Sequence, residues 1–123
     1  MTNKPQTARA RGAATEQLAA RWLARKGLTL VTANYHVKGG ELDLVMMDGD
    51  TLVFVEVKHR VNHTRGHPLE TITPTKKRRL IRAASLYLAH QAVSTPCRFD
   101  ILALTGHPPA LEFHWEKAAF DAY

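Results

Sequence analysis

The sequence predicts an α/β domain with a mixed central sheet flanked by helices, its elements in the order α-β-β-β-α-β. Two strand-like runs flank Asp48-Gly49-Asp50, a turn signal typical of a β-hairpin, so the second and third strands are predicted to be antiparallel. A helical segment separates the third strand from the fourth, and a link through a helix predicts a parallel pair with a right-handed crossover. Antiparallel and parallel pairs in one sheet define the mixed class.

Length and composition place the chain among ordinary globular proteins. Its 123 residues suffice for one core, and 45% hydrophobic and 23% charged residues are unremarkable for such a domain. The single cysteine, Cys97, excludes a disulfide framework and a cysteine zinc site. No apolar run reaches the ~18 residues of a membrane span, and the N-terminus lacks an apolar signal-peptide core. We therefore expect a cytoplasmic protein with no membrane partner.

The N-terminal part is predicted to be an arm followed by a helix. Residues 1–11 are polar and basic, which is typical of a disordered arm, and residues 12–123 then form a single domain. Gly12–Lys26 is predicted to be helical because apolar residues recur at i, i+4 spacing, and Gly27 stands at the C-cap. That apolar stripe contains Leu18, Ala19, Trp22 and Leu23.

Three strands are predicted next, and two more are predicted near the end of the chain. The strands are Leu28–Val37, Glu41–Met47, Thr51–Lys58, Arg98–Leu104 and a short last strand, Leu111–Trp115, after which Phe120 packs back on the body. In the second strand, Leu42, Leu44 and Met46 are expected to face the core. The third strand is almost continuously apolar, which predicts a central position in the sheet.

Acidic residues gather on the predicted hairpin. Glu41 and Asp43 share one face of the second strand, and Glu56 and Lys58 share one face of the third. A four-residue loop from Asp48 to Thr51 sets Asp43 directly opposite Glu56, a two-residue loop makes them diagonal neighbours, and a three-residue loop separates them. The functional interpretation therefore depends on an even loop.

These acids point to a divalent cation. Two like charges ~4 Å apart repel by about 4 kcal/mol at an effective dielectric of 20, and a structural protein gains nothing obvious from that. Carboxylate oxygens, waters and substrate phosphates suit Mg²⁺ or Mn²⁺. The alternative is an edge hairpin whose solvated charges discourage aggregation. Glu16 also has two interpretations: it favours the dipole of the first helix, or it points toward the acidic face of the hairpin.

Basic residues cluster at the start of the second helix, predicted over Thr75–Gln91 after the start signal Thr73-Pro74-Thr75. Cations there oppose the helix dipole, so the cluster costs stability unless an anion binds, and phosphate is the obvious anion. The alternative is a solvated helix face. The cluster consists of Lys76, Lys77, Arg78, Arg79 and Arg82, and the net charge of +6 also favours a polyanionic partner.

A polar segment, residues 59–73, precedes that helix. It contains Arg60 and Arg65, and we expect a basic loop that closes over a nucleic-acid backbone. His59, His63 and His67 recur every four residues, but the Asn, Gly and Pro between and after them argue against the helix that a histidine metal site at this spacing needs.

Several stretches together resemble a known family. The element order, with an Asp on the second strand and Glu-x-Lys on the third, is similar to the restriction-endonuclease-like, PD-(D/E)xK, nuclease core. More specifically, the chain past Gly12 resembles the YraN family of small bacterial proteins. The matching positions are Gly12, Glu16, Ala19, Gly27, Asn34-Tyr35, Gly40 to Val45, Val53 to Arg60, Gly66, Lys76, Arg79, Ala84, Tyr87-Leu88, Arg98 to Asp100 and Ala119-Phe120.

The nuclease resemblance implies a set of roles. It places Asp43 and Glu56 on Mg²⁺ or Mn²⁺ with the carbonyl of Val57 as a third ligand, and Lys58 beside the attacking water. Archaeal Holliday-junction resolvases share this layout and add a glutamate on the first helix, to which Glu16 is similar; Glu41 completes the acidic set. The proline that precedes the first Asp in the superfamily is a leucine here.

The function implied is metal-dependent hydrolysis of DNA, with branched or recombination intermediates as a substrate class. A resolving enzyme needs two sites, which implies a homodimer, and a recombination or repair protein is an expected partner. One alternative is a non-catalytic nucleic-acid-binding module that serves such a machine. Another is a structural module that binds a protein and has little affinity for DNA.

Overall fold

The structure, a computed structural model, describes residues 8–61, 72–92 and 94–121, which form two helices and five strands. In chain order they are α1 (Ala8–Arg25), β1 (Thr29–Val37), β2 (Gly40–Asp48), β3 (Thr51–Arg60), α2 (Pro74–Gln91), β4 (Cys97–Thr105) and β5 (Glu112–Phe120). The predicted order α-β-β-β-α-β is confirmed, with β5 added after it. No helix within the described residues is both long and apolar enough to cross a membrane.

The five strands form one mixed sheet in the order β1-β2-β3-β4-β5. The β1–β2, β2–β3 and β4–β5 pairs are antiparallel, and β3–β4 is parallel. The parallel pair is the one that α2 connects, as the sequence predicts. β3 lies in the centre, which agrees with its almost continuous apolar sequence. The α/β class with a mixed sheet is therefore confirmed.

Each face of the sheet is covered by one helix. Ala19 and Leu23 of α1 pack on Leu44 and Met46 and on neighbouring β3 and β4 residues. The α2 face is a second cluster in which Leu80, Ala83, Ala84 and Tyr87 pack on Val45, Leu52, Phe54 and Phe99. Because strand side chains alternate between faces, the two helices lie on opposite sides of the sheet.

Leu42 is buried in the core, as predicted, but on the other face of the sheet from Leu44 and Met46. It was expected beside Leu44 and Met46, but it packs in the α2 cluster with Val45. Residues three apart share a face only where the alternation of a strand is interrupted. The β2–β3 ladder ends at the pair Leu44–Val55, next to Leu42 and Asp43. The irregular position therefore lies at the predicted acidic site.

The hairpin turn contains two residues, Gly49 and Asp50, because Asp48 and Thr51 still pair in the ladder. Gly49 has φ +61°, which glycine adopts without a steric penalty. The loop is even, as the functional interpretation requires. The prediction that a two-residue loop makes Asp43 and Glu56 diagonal neighbours was wrong, because the register is the one expected for the four-residue loop. The ladder runs from the Asp48–Thr51 pair to the Leu44–Val55 pair and ends one position before Asp43 and Glu56.

Several element ends differ from the predictions. α1 begins at Ala8 and not at Gly12, so residues 8–11 of the expected arm are helical; residues 1–7 lie outside the described part. It ends as predicted, with Gly27 at φ +102° and the N–H of Leu28 donating to the carbonyl of Leu23. β3 continues through Arg60, into the segment expected to be a loop.

β5 is longer than predicted, because buried Asp100 holds its second half. Asp100 is fully buried and accepts hydrogen bonds from Trp115 Nε1 at 3.0 Å and from the backbone N–H of Ala118 at 2.9 Å. Ala118 has φ +51°, and the β4–β5 register shifts there. Arg98 pairs with the same carboxylate at 3.0 Å. Asp100 therefore joins β5 to β4 across a bulge, and residues 116–120 remain in the strand.

Candidate metal centre

A cavity of about 400 Å³ opens where the β2–β3 ladder ends. Its lining residues come from β2, from β3 and from both helices, although the two helices lie on opposite faces of the sheet. Its lining consists of Gly12, Thr15 and Glu16 from α1, Asp43 from β2, Glu56, Val57 and His59 from β3, and Lys76 from α2. The three carboxylates in this lining are all residues that the sequence predicted to be functional.

Asp43 spans the gap between the two strands. Its Oδ2 accepts a hydrogen bond of 2.9 Å from the backbone N–H of Val57. Burial raises the pKa of Asp43, while that hydrogen bond and the positive charge of Lys76 act in the opposite direction. The hydrogen bond fixes the carboxylate beside Glu56, the residue that precedes Val57.

Glu56 is the most deeply buried acid of the cavity. Its side chain is 8% exposed, and Oε1 lies 3.2 Å from Lys76 Nζ. Its other oxygen, Oε2, is buried and finds no hydrogen-bond donor among the described residues. Burial, followed by the charge of Asp43, raises the pKa of Glu56 to about 7. A buried carboxylate oxygen without a donor lowers the stability of the fold. Because Oε2 has no donor, it is available to a ligand.

Glu16 points into the same cavity, so the structure favours the second of its two interpretations. Burial and then the charge of Asp43 raise its pKa to about 7, and a hydrogen bond from Asn34 lowers it. Glu16 Oε2 is buried and unpartnered within the described part of the chain, like Glu56 Oε2. The first helix therefore supplies a third carboxylate.

Asn34 is a positioning residue to which the sequence analysis assigned no role, although it is one of the positions that match the family. It lies in β1 with φ +54°, a conformation that asparagine adopts more readily than most residues, and its side chain is hydrogen-bonded to Glu16. The signal for its role is an asparagine inside an otherwise strand-like run. That signal becomes informative once α1 is known to pass over β1.

Lys58 and Glu41 lie at the margin of the acidic group. Burial lowers the pKa of Lys58 and the charge of Glu56 acts against this, so the two side chains are within electrostatic reach, as predicted. Glu41 is more exposed, with Oε2 3.4 Å from His36 Nδ1 and Oε1 4.0 Å from Lys76 Nζ.

Of the predicted phosphate-binding residues that the structure describes, Lys76 is the one that lines the cavity. Lys77 Nζ lies 5.4 Å from the ring centroid of Phe120, and Arg82 Nε donates to the carbonyl of Lys38 at 2.7 Å. Arg60 and Arg79 are exposed. Arg65 lies outside the described residues.

The histidine series contributes one described residue. His59 Nε2 donates to the carbonyl oxygen of Gly106 at 2.8 Å, which joins the end of β3 to the end of β4. His59 also lines the cavity. His63 and His67 fall outside the described part of the chain.

The donor set suits a hard divalent cation. The cavity offers two buried oxygens without donors, one on Glu16 and one on Glu56. It also offers the carboxylate of Asp43, whose charge raises the pKa of both glutamates. Within residues 8–61, 72–92 and 94–121, no group of three or more His, Cys, Asp or Glu side chains is arranged to hold a metal ion. Mg²⁺ does not need three such ligands, because it keeps several waters and binds through one or two carboxylates and substrate phosphates. The residues present therefore fit this ion.

The family model described as "Uncharacterised protein family UPF0102" matches residues 15–104, a span that includes every cavity-lining residue except Gly12. A UPF0102 protein of Chromohalobacter salexigens is 53% identical over 123 residues, 100% of both chains. One from Vibrio cholerae is 48% identical over 107 residues, which cover 85% of this chain and 86% of the relative. One from Herminiimonas arsenicoxydans is 43% identical over 120 residues, 97% and 94% of the two chains. The chain therefore belongs to the UPF0102 family, the family that the sequence analysis named as YraN.

Proposed function

We propose that this protein is a divalent-metal-dependent nuclease that hydrolyses phosphodiester bonds in DNA, including branched recombination intermediates. The observation that carries the proposal is the convergence of Asp43, Glu56 and Glu16 on one open cavity, with two buried carboxylate oxygens that lack donors. Acids in such a place cost stability and call for a cation. The nuclease resemblance assigns Asp43 and Glu56 to the metal.

The ligands would be the carboxylates of Asp43 and Glu56 and the carbonyl of Val57, with Glu16 facing them from α1. When bound, a Mg²⁺ or Mn²⁺ ion supplies an activated water and neutralises the charge that develops on the phosphate. The hydrogen bond from the Val57 N–H to Asp43 orients that carboxylate through a backbone group. It keeps one ligand in position before any ion arrives, which reduces the reorganisation that binding requires.

Lys58 is the residue we assign to the water and the phosphate. It lies two positions after Glu56 on the same strand, and the Glu56 charge counteracts the effect of burial on its pKa. A lysine held close to carboxylates keeps its charge near neutral pH, so its role is to orient the water or to neutralise the phosphate.

DNA fits the charge of the whole chain. The formal net charge is +6 although the cavity concentrates acids, and the exposed basic residues of the described part include Arg60, Arg78, Arg79 and Arg82. A basic surface around an acidic pocket attracts a polyanion and leaves the reacting phosphate to a cation. Action on DNA in the cytoplasm, with a recombination or repair protein as partner, completes the proposal.

The direct test is cleavage of end-labelled duplex, single-stranded and four-way-junction DNA in Mg²⁺ or Mn²⁺. We compare the wild type with Asp43→Ala and Glu56→Ala, and use Asp50→Ala as the matched control, because Asp50 is an exposed acid in the hairpin turn. The expected result is metal-dependent cutting by the wild type and by Asp50→Ala, and a loss of at least ~100-fold in the other two, as for other residues that carry catalytic charge. The preferred substrate then identifies the structure on which the enzyme acts.

A second function is favoured by one observation: no group of three or more His, Cys, Asp or Glu among the described residues is arranged to hold a metal ion. In that alternative the protein is a non-catalytic nucleic-acid-binding module of a recombination or repair machine. It predicts salt-sensitive DNA binding that is equal in the wild type and the acid variants, with no cutting by any of them. Cutting by Asp43→Ala at the wild-type rate would contradict the assignment of the active site.

A further inference from the structure

We propose that Lys76 occupies the cation position of the cavity in the metal-free protein, and that a divalent ion binds by displacing its ammonium group from Glu56. The inference rests on the proposed metal site and adds to it a residue from α2. It makes Lys76 a positioning residue for both ligands of the cavity, the metal ion first and the phosphate afterwards.

The contacts of Lys76 are those of a counter-ion. Its Nζ lies 3.2 Å from Glu56 Oε1 and 4.0 Å from Glu41 Oε1, and its charge lowers the pKa of Asp43 and of Glu56. One ammonium therefore acts on three of the four acids around the cavity. Its side chain is 35% exposed, against 8% for Glu56, so it reaches the carboxylate from the solvent side.

Lys76 and a metal ion compete for the charge of the same carboxylate, because Lys76 contacts Glu56 Oε1 and the ion would bind Oε2, which has no donor among the described residues. The ammonium is a compact point charge on a flexible stem, which makes it a suitable tethered substitute for a free cation. A divalent ion carries twice the charge of the ammonium. An ion bound to Oε2 repels the ammonium that lies 3.2 Å from Oε1 of the same carboxylate. The free energy of the Lys76–Glu56 pair must then be subtracted from that of metal binding.

The displaced side chain remains at the mouth of the cavity. Lys76 belongs to the first turn of α2, whose backbone is fixed by the Thr73 cap, with the N–H of Lys76 donating to Thr73 Oγ1 at 3.1 Å. The ammonium leaves Glu56 but cannot move far from the bound ion. A phosphate that approaches the ion would therefore meet Lys76. Metal binding thus frees the ammonium of Lys76 to contact a phosphate.

The test is isothermal titration of Mn²⁺ into the full chain as wild type, Lys76→Met and Lys77→Met. Methionine keeps most of the stem and removes the charge. We expect Lys76→Met to bind Mn²⁺ more tightly by on the order of tenfold, which is the strength measured for the weaker close charge pairs. Lys77→Met should match the wild type, because its ammonium lies over Phe120 and not on the acids. A merely structural Lys76 would give the opposite result, since its loss would loosen the site.

Equal or weaker Mn²⁺ binding by Lys76→Met would overturn the inference, and so would an absence of Mn²⁺ binding in all three proteins. Cleavage by the wild type is measured separately and decides the nuclease proposal. Tighter binding by Lys76→Met with no cleavage by any protein would support the displacement of Lys76 and contradict the nuclease.

The phosphate contact has its own readout, the salt dependence of DNA binding with Ca²⁺ or with EDTA. We expect the slope of log affinity against log salt to be smaller for Lys76→Met than for the wild type by about one phosphate contact in Ca²⁺, and equal in EDTA. The slope is the useful quantity because Lys76→Met also leaves the acids more negative, which weakens binding at every salt concentration. An equal difference in both buffers would show that the contact does not depend on metal and would overturn this step.

Discussion

The carboxyl group of Glu56 links the chemistry of the cavity to the stability of the fold. Its pKa is raised to about 7 from 4.5, first by burial and then by Asp43. Between these values the unfolded chain loses the proton while the folded chain keeps it, so stability falls as pH rises from 4.5 to 7 and stays low above that. In the metal-free protein, Glu56 is therefore about half ionised at pH 7 and fully ionised in alkaline solution, where the buried charge lowers stability.

Glu56→Gln should remove that penalty. Without metal, we expect the variant to be more stable than the wild type by about 3 kcal/mol near pH 8 and by little near pH 4, where Glu56 is protonated in both states. Urea denaturation followed by tryptophan fluorescence measures both values. Saturating Mn²⁺ should reverse the order, because it stabilises only the protein that retains the ligand. A variant less stable than the wild type at the higher pH would show that the pair with Lys76 outweighs the cost of burial.

At the scale of elements, the seating of α2 on β2 decides where Lys76 lies. Gly40 is buried against the helix, and a Cβ at this position would lie 2.4 Å from the carbonyl oxygen of Arg79 and 3.2 Å from the Cβ of Ala83. A backbone carbonyl cannot rotate away, so the helix itself has to move. The first turn of α2, with Lys76, would move with it.

We expect Gly40→Ala to lower the free energy of unfolding by about 2 kcal/mol, within the range for overpacked sites, and to change the Mn²⁺ affinity. Gly12→Ala is the matched control. A Cβ there meets nothing within 4 Å, and alanine should stabilise α1 by about 0.5–1 kcal/mol. Urea denaturation of the two variants compares them directly. Equal stability of Gly40→Ala and the wild type would mean that α2 is not seated as closely as the structure shows.

Elements whose pattern is local could be predicted from the sequence, and those held by distant contacts could not. The apolar spacing of α1, the turn after Asp48 and the continuous apolar run of β3 are visible in short windows, and each element is confirmed. The length of β5 depends on Asp100, a partner far away in sequence. Tertiary contacts of this kind override local propensity.

The candidate site divides in the same way. Asp43, Glu56 and Lys58 follow from strand alternation and an even loop, but the interruption next to Asp43, which turns Leu42 to the α2 face, has no local signal. Lys76 was interpreted as part of a phosphate-binding cluster because the path of α2 over the sheet cannot be read from a helical period. The structure adds a contact of Lys76 with Glu56 that the helical period does not reveal.

At the scale of the whole molecule, the two edges of the sheet are unlike. Among the described strands, β1 and β5 each have one neighbour. β5 carries Glu112, Glu116 and Lys117, and charged side chains protect an edge from pairing. β1 contains no Asp, Glu, Lys or Arg, and it exposes 47% of both Leu30 and Val31. Of these two edges, β1 is therefore the one without charged side chains, although a bulge between Leu30 and Thr32 interrupts it.

We expect a second copy of the chain to pair on β1, which would give the homodimer that cutting both strands of a branched substrate requires. Val31→Lys places a charge on the edge and should shift the mass in solution from dimer to monomer, because a charged edge strand resists pairing. Val61→Lys is the control: Val61 is 59% exposed but lies outside the strands, and its loss should leave the dimer intact. Light scattering after gel filtration, over a range of concentrations, gives the masses. A wild-type chain that stays monomeric throughout would contradict β1 pairing, and a dimer that persists equally in both variants would place the interface elsewhere.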